Sequence, residues 1–244
     1  MITSVDNPRV KEVLRLRKAR ERRRSGLFVA EGLREVERAQ AAGLRIAETF
    51  VAPALAGTGW PGDAVEVSER VLARMAYRAE PEGVLAVVEV PRRELPRGGT
   101  LYLVTVGIEK PGNLGAIARS AEAAGADALL VADARADPWN PNAIRASTGA
   151  VFTLPVVEAS LEEVRGLGVQ LVAAVVGAPT RHTEADLTRP VAIAVGAEDT
   201  GLDERWRDAA DLAVSIPLRG RATDSLNASA AAAILLFEAV RQRG

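Results

Sequence analysis

Three stretches beyond residue 100 place polar residues where a strand hands over to a helix. Glu109 to Asp127 reads EKPGNLGAIARSAEAAGAD. Its glycines, Gly112 and Gly115, permit a tight turn and close backbone approach. Asn113 and Arg119 add an amide and a cation. Val191 to Leu202 reads VAIAVGAEDTGL: an apolar strand ends at Gly196 and the carboxylate of Glu198 follows. Ser215 to Val240 reads SIPLRGRATDSLNASAAAAILLFEAV, where a loop with Arg219 and Arg221 leads through Ser225, Leu226 and Asn227 into an alanine-rich helix. Open α/β sheets bind ligands outside the carboxyl ends of their strands, and these side chains lie at three such ends. The first stretch is neither GxGxxG nor a P-loop. Plain structural readings stand beside the chemical ones. Asn113 or Ser225 could cap a helix, Arg119 could pair with Glu122 at i,i+3, and Glu198 could form a salt bridge.

Composition narrows the chemistry. No cysteine among the 244 residues excludes disulfides, thiolate nucleophiles and cysteine zinc sites. A single histidine, His182, excludes a multi-histidine metal site, and its polar surroundings predict a solvent-exposed loop residue. Aromatic residues are 4%, too few for base stacking to be the main mode of nucleic-acid binding. No apolar run approaches the ~18 residues of a membrane span. The start, MITSVDNPRVKEV, lacks the apolar stretch of a secretory signal. Net charge is −1, yet residues 1–26 hold nine Lys/Arg against three Asp/Glu, so that end is at +6. Such an end points to a polyanion contact or to a solvated helix face.

The elements that must position these residues follow from periodicity. VPRRELPRGG, Val90 to Gly99, reads as a linker. It divides the chain into a small α/β domain, 1–95, and a larger domain, 96–244. In the first, helical periodicity runs from Asn7 to about Arg24, with strands at 27–31, 46–52 and 83–90 and helices at 32–42 and 69–76. In the second, strands are expected at 101–107, 128–133, 151–157, 169–177, 191–196 and 212–217. Helices are expected at 113–125, 140–148, 160–166, 202–210 and from Ser225 to Arg243. Continuous apolar strands between helices imply a mostly parallel sheet covered on both faces.

The three stretches, in this order, resemble the SpoU (TrmH-like) branch of the SPOUT family from about Leu101 to Arg243. NPRVKEV at 7–13 and LFVAEGLREVERA at 27–39 resemble the ribosomal-protein-like RNA-binding extension of its rRNA-modifying members. The resemblance implies a trefoil-knotted domain that uses S-adenosylmethionine to methylate a ribose 2′-hydroxyl of RNA. It favours rRNA over tRNA, with a non-catalytic RNA-binding protein as the third reading. It further implies a homodimer with its active site at the subunit interface, a cytoplasmic location, and no membrane or metal partner. Arg119, Asn113, Glu198 and Asn227 match the family's catalytic positions. Backbone groups of Gly196, Ile216 and Leu226 would hold the cofactor, with Ala174 adding to the pocket. Arginine stays protonated in proteins, so Arg119 could lower the hydroxyl's pKa or orient a phosphate rather than act as a base. Two departures stand out: the loop from Pro217 to Ser225 is longer than usual, and Ala228 replaces the usual valine.

Overall fold

A computed structural model describes residues 1–57, 60, 62–220, 222 and 224–244. The chain forms two compact units. The first comprises Met1–Arg92 together with Trp139–Phe152; the second comprises Arg93–Pro138 and Thr153–Gly244.

The first unit opens with α1 (Pro8–Arg15), capped by the Asn7 side chain, which accepts from Arg9 N–H, and with proline in its first turn. A break follows before α2 (Ala19–Ser25), so the single helix expected over 7–24 is two. The cause is Arg22. Its guanidinium is buried and donates to the carbonyls of Leu16 (2.6 Å) and Arg17 (3.0 Å), which hold the corner shut. Then come β1 (Leu27–Glu31), α3 (Leu33–Ala41), β2 (Ile46–Val51), α4 (Pro53–Ala56), β3 (Val65–Glu66), α5 (Glu69–Met75) and β4 (Val84–Glu89). The strands form one sheet in the order β1-β4-β2-β3, with β4 antiparallel to both neighbours and β3 parallel to β2. Val10, Val13 and Leu16 pack with Phe50, Val71, Leu72 and Met75 in its core.

The second unit starts with β5 (Leu101–Val106), α6 (Pro111–Ala123) and β6 (Ala128–Ala132). The next two helices, α7 (Pro141–Ser147) and α8 (Ala150–Thr153), lie in or adjoin the stretch that belongs to the first unit. There Phe28 stacks on Trp139 at 4.9 Å and on Phe152 at 5.8 Å, and Arg38 donates to the Thr148 carbonyl. The first unit thus takes in a segment that lies beyond residue 95 in the chain. The strand expected over 151–157 is likewise corrected. Val151 and Phe152 are buried within α8, and only β7 (Val156–Glu158), after Pro155, is extended. Burial of the aromatic ring overrides the strand preference of a VFT run.

The remaining elements are α9 (Leu161–Arg165), β8 (Gln170–Ala174), β9 (Thr180–Arg181), β10 (Val191–Gly196), α10 (Glu204–Ala209), β11 (Leu212–Ser215) and α11 (Ala228–Arg243). Seven strands form a parallel sheet in the order β7-β6-β5-β10-β8-β11-β9. Every residue of β5, β6 and β10 is buried, as central parallel strands require. Pairing aligns Gly196 with Val106, and Val214 with Ala174, so these strands finish at one edge of the sheet. Helix α6 buries Leu114, Ile117, Ala118 and Ala121, a stripe at helical spacing, and packs beside α11.

Candidate active site

At the carboxyl edge of the seven-stranded sheet, side chains from all three stretches meet on Glu198. Lys110 Nζ donates to Glu198 Oε2 at 2.7 Å, and Asn227 Nδ2 donates to Glu198 Oε1. Asn227 Nδ2 also lies 3.3 Å from Asn113 Oδ1. The other end of the Asn227 amide is occupied: Oδ1 accepts from Ser229 N–H at 2.9 Å and Ser229 Oγ–H at 2.5 Å. Lys110 above all holds the Glu198 carboxyl below its usual range, helped by Asn113 and the Ala228 N–H against the opposing cost of burial. Glu198 in turn raises Lys110.

Each contributor is fixed by its own element. Lys110 is the N-cap residue of α6, with Pro111 next, and its carbonyl accepts from the N–H groups of Asn113 (3.0 Å) and Leu114 (3.1 Å). Asn113 thus sits in the first turn and does not cap the helix. Asn227 is the N-cap of α11, so Ser225 is not; α11 starts three residues later than expected. The turn after β10 is closed by backbone on backbone. A Cβ on Gly196 would lie 2.1 Å from the Gly201 carbonyl carbon, and Gly201 N–H donates to the Ala197 carbonyl at 2.8 Å. Gly201 has φ +65°, a conformation that suits glycine.

Two cavities adjoin Glu198. The larger, about 410 Å³, lies at the ends of β8, β10 and β11. Gly196, Ile216, Leu226 and Ala174 all line it. Among the described residues its acidic lining residues are Glu198, Asp199 and Asp224, against one cation, Arg207. The smaller, about 300 Å³, is lined by Ile108, Glu109, Lys110, Asn113, Ala197, Glu198 and Asp199. Arg219 is exposed, and Arg221 lies outside the described residues.

Arg119 stands apart from this cluster. It is exposed and makes no hydrogen bond or ion pair among the described residues, so the expected pair with Glu122 is not formed. Six residues of helix separate it from Asn113, about 9 Å along the axis and roughly 120° around it. His182 is half-buried rather than exposed; its Nδ1 lies 3.3 Å from the Ser215 carbonyl. Among the described residues no group of acids and histidine could hold a metal, and no helix is long and apolar enough to cross a membrane. Lys110 escaped the sequence reading. Its signal was a cation immediately before the Pro-Gly-Asn turn, a place where its side chain looked incidental to the turn.

The basic end of the first unit is partly internal. Arg17 donates to the carbonyls of Arg74 and Ala76 and sits over the Tyr77 ring, and Arg22 closes the corner described above. Arg9, Lys11 and Arg24 pair with Glu48, Asp6 and Glu21. Arg15, Lys18 and Arg20 are exposed and without an ion pair among the described residues.

Residues 100–237 match the model of the SpoU rRNA Methylase family, and residues 7–86 that of the MRM3-like substrate binding domain. The chain belongs to the SpoU rRNA methylase family. Within this family it is 30% identical, over 97% of each chain, to the 23S rRNA (guanosine(2553)-2′-O)-methyltransferase RlmP of Bacillus subtilis. It is 39% identical over 180 residues to a 23S rRNA (uridine(2479)-2′-O)-methyltransferase of Streptomyces viridochromogenes. That match spans 67% of this chain and 61% of that protein. The crystal structure of the SpoU methyltransferase AviRb from Streptomyces viridochromogenes, in complex with AdoMet, superposes with a TM-score of 0.86 at 30% identity, over 97% of this chain and 98% of that one. The SpoU match covers the whole Glu198 cluster.

Proposed function

We propose that this chain transfers a methyl group from S-adenosylmethionine to a ribose 2′-hydroxyl of rRNA. The observation that carries the reading is the convergence of Asn113, Glu198 and Asn227 beside a cavity at the ends of three parallel strands, in a SpoU family chain. The rRNA substrate rests on the rRNA methyltransferases it is similar to and on the match of residues 7–86 to a substrate binding domain.

The larger cavity fits the cofactor. Its volume lies in the range of small-molecule sites, and small or apolar side chains leave main-chain groups to recognise the adenine. Among the described lining residues, three carboxylates and one guanidinium suit a ligand that carries a sulfonium, an ammonium and a carboxylate. Gly196, Ile216, Leu226 and Ala174 would hold it. When bound, it supplies an electrophilic methyl group for in-line attack.

The chain's own residues have two tasks: placing the ribose oxygen and managing its proton. Asn113 presents its amide at the wall of the smaller cavity, and Asn227, bonded to both Asn113 and Glu198, fixes its place there. Arg119 remains cationic, so its task is to hold the adjacent phosphate and favour ionisation of the hydroxyl. Its distance from Asn113 along α6 is the reason for proposing a homodimer in which a second copy's α6 completes the site. The trefoil knot around the cavity and a cytoplasmic location belong to the same proposal. Arg15, Lys18 and Arg20 would meet RNA phosphates, which makes affinity fall with salt.

The test is transfer from labelled S-adenosylmethionine to rRNA and to tRNA that lack native modifications, followed by nucleoside analysis. A 2′-O-methyl nucleoside in rRNA is expected. Label in tRNA alone overturns the substrate, and no label in either overturns the reaction.

A further inference from the structure

We propose that Lys110 is a positioning residue for the transfer, acting through Glu198 to set the two asparagine amides at the edge of the cavities. The inference rests on the methyl-transfer reading and adds a residue to it. Its basis is how the cluster distributes donors and acceptors. Ser229 occupies the oxygen of the Asn227 amide with two hydrogen bonds, which turns Nδ2 toward Glu198 and Asn113. That orientation needs Glu198 as a pure acceptor, and a carboxyl is one only when ionised. Among the described residues Lys110 is the only cation bonded to it. The remaining donors are amides and one backbone N–H, which orient a carboxylate without neutralising it.

Stability does not account for the pair. The Lys110 side chain is 73% exposed and that of Glu198 24%. Exposed pairs of this kind contribute little to folding stability. The base of Lys110 is nonetheless fixed, because its carbonyl takes the Asn113 and Leu114 N–H groups in the first turn of α6, as noted above. The ammonium therefore reaches Glu198 from a rigid point on the wall of the smaller cavity, while Glu198 also lines the larger. A cation whose partner touches both cavities, yet which contributes little to folding, acts on the geometry between them.

The experiment compares the full chain with Lys110→Met, Lys110→Gln and Lys110→Arg. It measures kcat at saturating RNA, KM for RNA, S-adenosylmethionine affinity by calorimetry, and the unfolding midpoint. For Met and Gln, kcat should fall about tenfold or more, the scale of a modest misplacement of reacting groups. KM, cofactor affinity and unfolding midpoint should stay within about twofold or a degree or two of the parent, and Arg should recover most of the loss. An unchanged kcat overturns the proposal. So does a rise in KM alone, which would make Lys110 a phosphate contact, and so does failure of Arg to recover activity. If the unsubstituted chain transfers no methyl group, it is the underlying reading that fails, and that result is separate from an active parent with an indifferent Lys110.

Discussion

Each unit holds a carboxylate cluster, and the two are built differently. In the first unit Glu31 accepts from the backbone N–H groups of Tyr77 (2.9 Å) and Arg78 (3.1 Å). Its neighbour Glu35, almost fully buried, pairs with Arg34 at 2.9 Å and lies 3.6 Å from Arg78. The hollow beside them has room for about one water, roughly 10 Å³. In the second unit Glu198 is bonded mainly to side chains from other loops and faces two cavities some thirty or more times larger. Both clusters are dense in polar contacts. What separates them is what the contacts surround: a hollow the size of one water in one, open space in the other. A crowded carboxylate is evidence of chemistry only where a ligand can reach it.

Substitutions can break that contrast or sharpen it. Arg119→Ala should produce the largest effect, a loss of about a hundred- to a thousandfold in kcat, as when a group that stabilises developing charge is removed. Cofactor affinity and the denaturation midpoint should be unchanged. Retained activity would leave the Glu198 cluster as the whole machinery. Glu35→Ala should do the opposite. It removes a buried carboxylate's pair with Arg34 and its contact with Arg78, which keeps its bond to Glu82, and should cost about 1–2 kcal/mol in chemical denaturation, while the second unit's S-adenosylmethionine affinity is kept. Glu198→Gln keeps the size but removes the charge. Transfer should drop roughly ten- to a hundredfold, with a stability change inside about 0.5 kcal/mol. A large loss of stability instead would put Glu198 in the same class as Glu35.

The smallest expected effect concerns a third carboxylate, Glu238. It lies in the second unit but is of the structural kind, bonded to Arg241 at 2.7 Å and to Gln242 at 2.8 Å. Arg241 first, then Gln242, hold it down at about 2, from an ordinary 4.5, against the cost of burial. Its folded-state value is depressed, so its contribution is complete above 4.5 and is lost as pH falls toward 2. Thermal melts followed by circular dichroism between pH 5 and 3 should show a falling midpoint, and Glu238→Gln should flatten that fall slightly. An unaltered slope would mean that other carboxylates carry it.

Much of the site was legible because its residues sit in fixed relation to strand ends. An apolar run that stops at Gly107, Gly196 or Pro217 marks an edge of the sheet, and Asn113, Glu198 and Asn227 each follow one of these stops. Gly196, Ile216, Leu226 and Ala174 fall on one cavity for the same reason. What stayed hidden depends on contacts distant in sequence. Nothing local says that Arg22 folds back on Leu16 and splits a helix, or that Phe152 turns toward Phe28. Nor does local pattern choose between Ser225 and Asn227 as the cap of α11, since both are good capping residues and Glu198 and Ser229 decide it. Lys110 was hidden most completely, because its partner lies 88 residues further on.

The return of Trp139–Phe152 to the first unit also orders events during synthesis. Chains fold from the amino terminus as they emerge, at roughly 5–20 residues per second. The sheet β1-β4-β2-β3 is complete by Glu89, but the rings that cover Phe28 are made only after β5, α6 and β6. For several seconds on that scale, the nascent chain carries a first unit with an open aromatic face. Its closure is timed by the emergence of residue 152, so the unit that begins the chain is finished only after part of the second has been made.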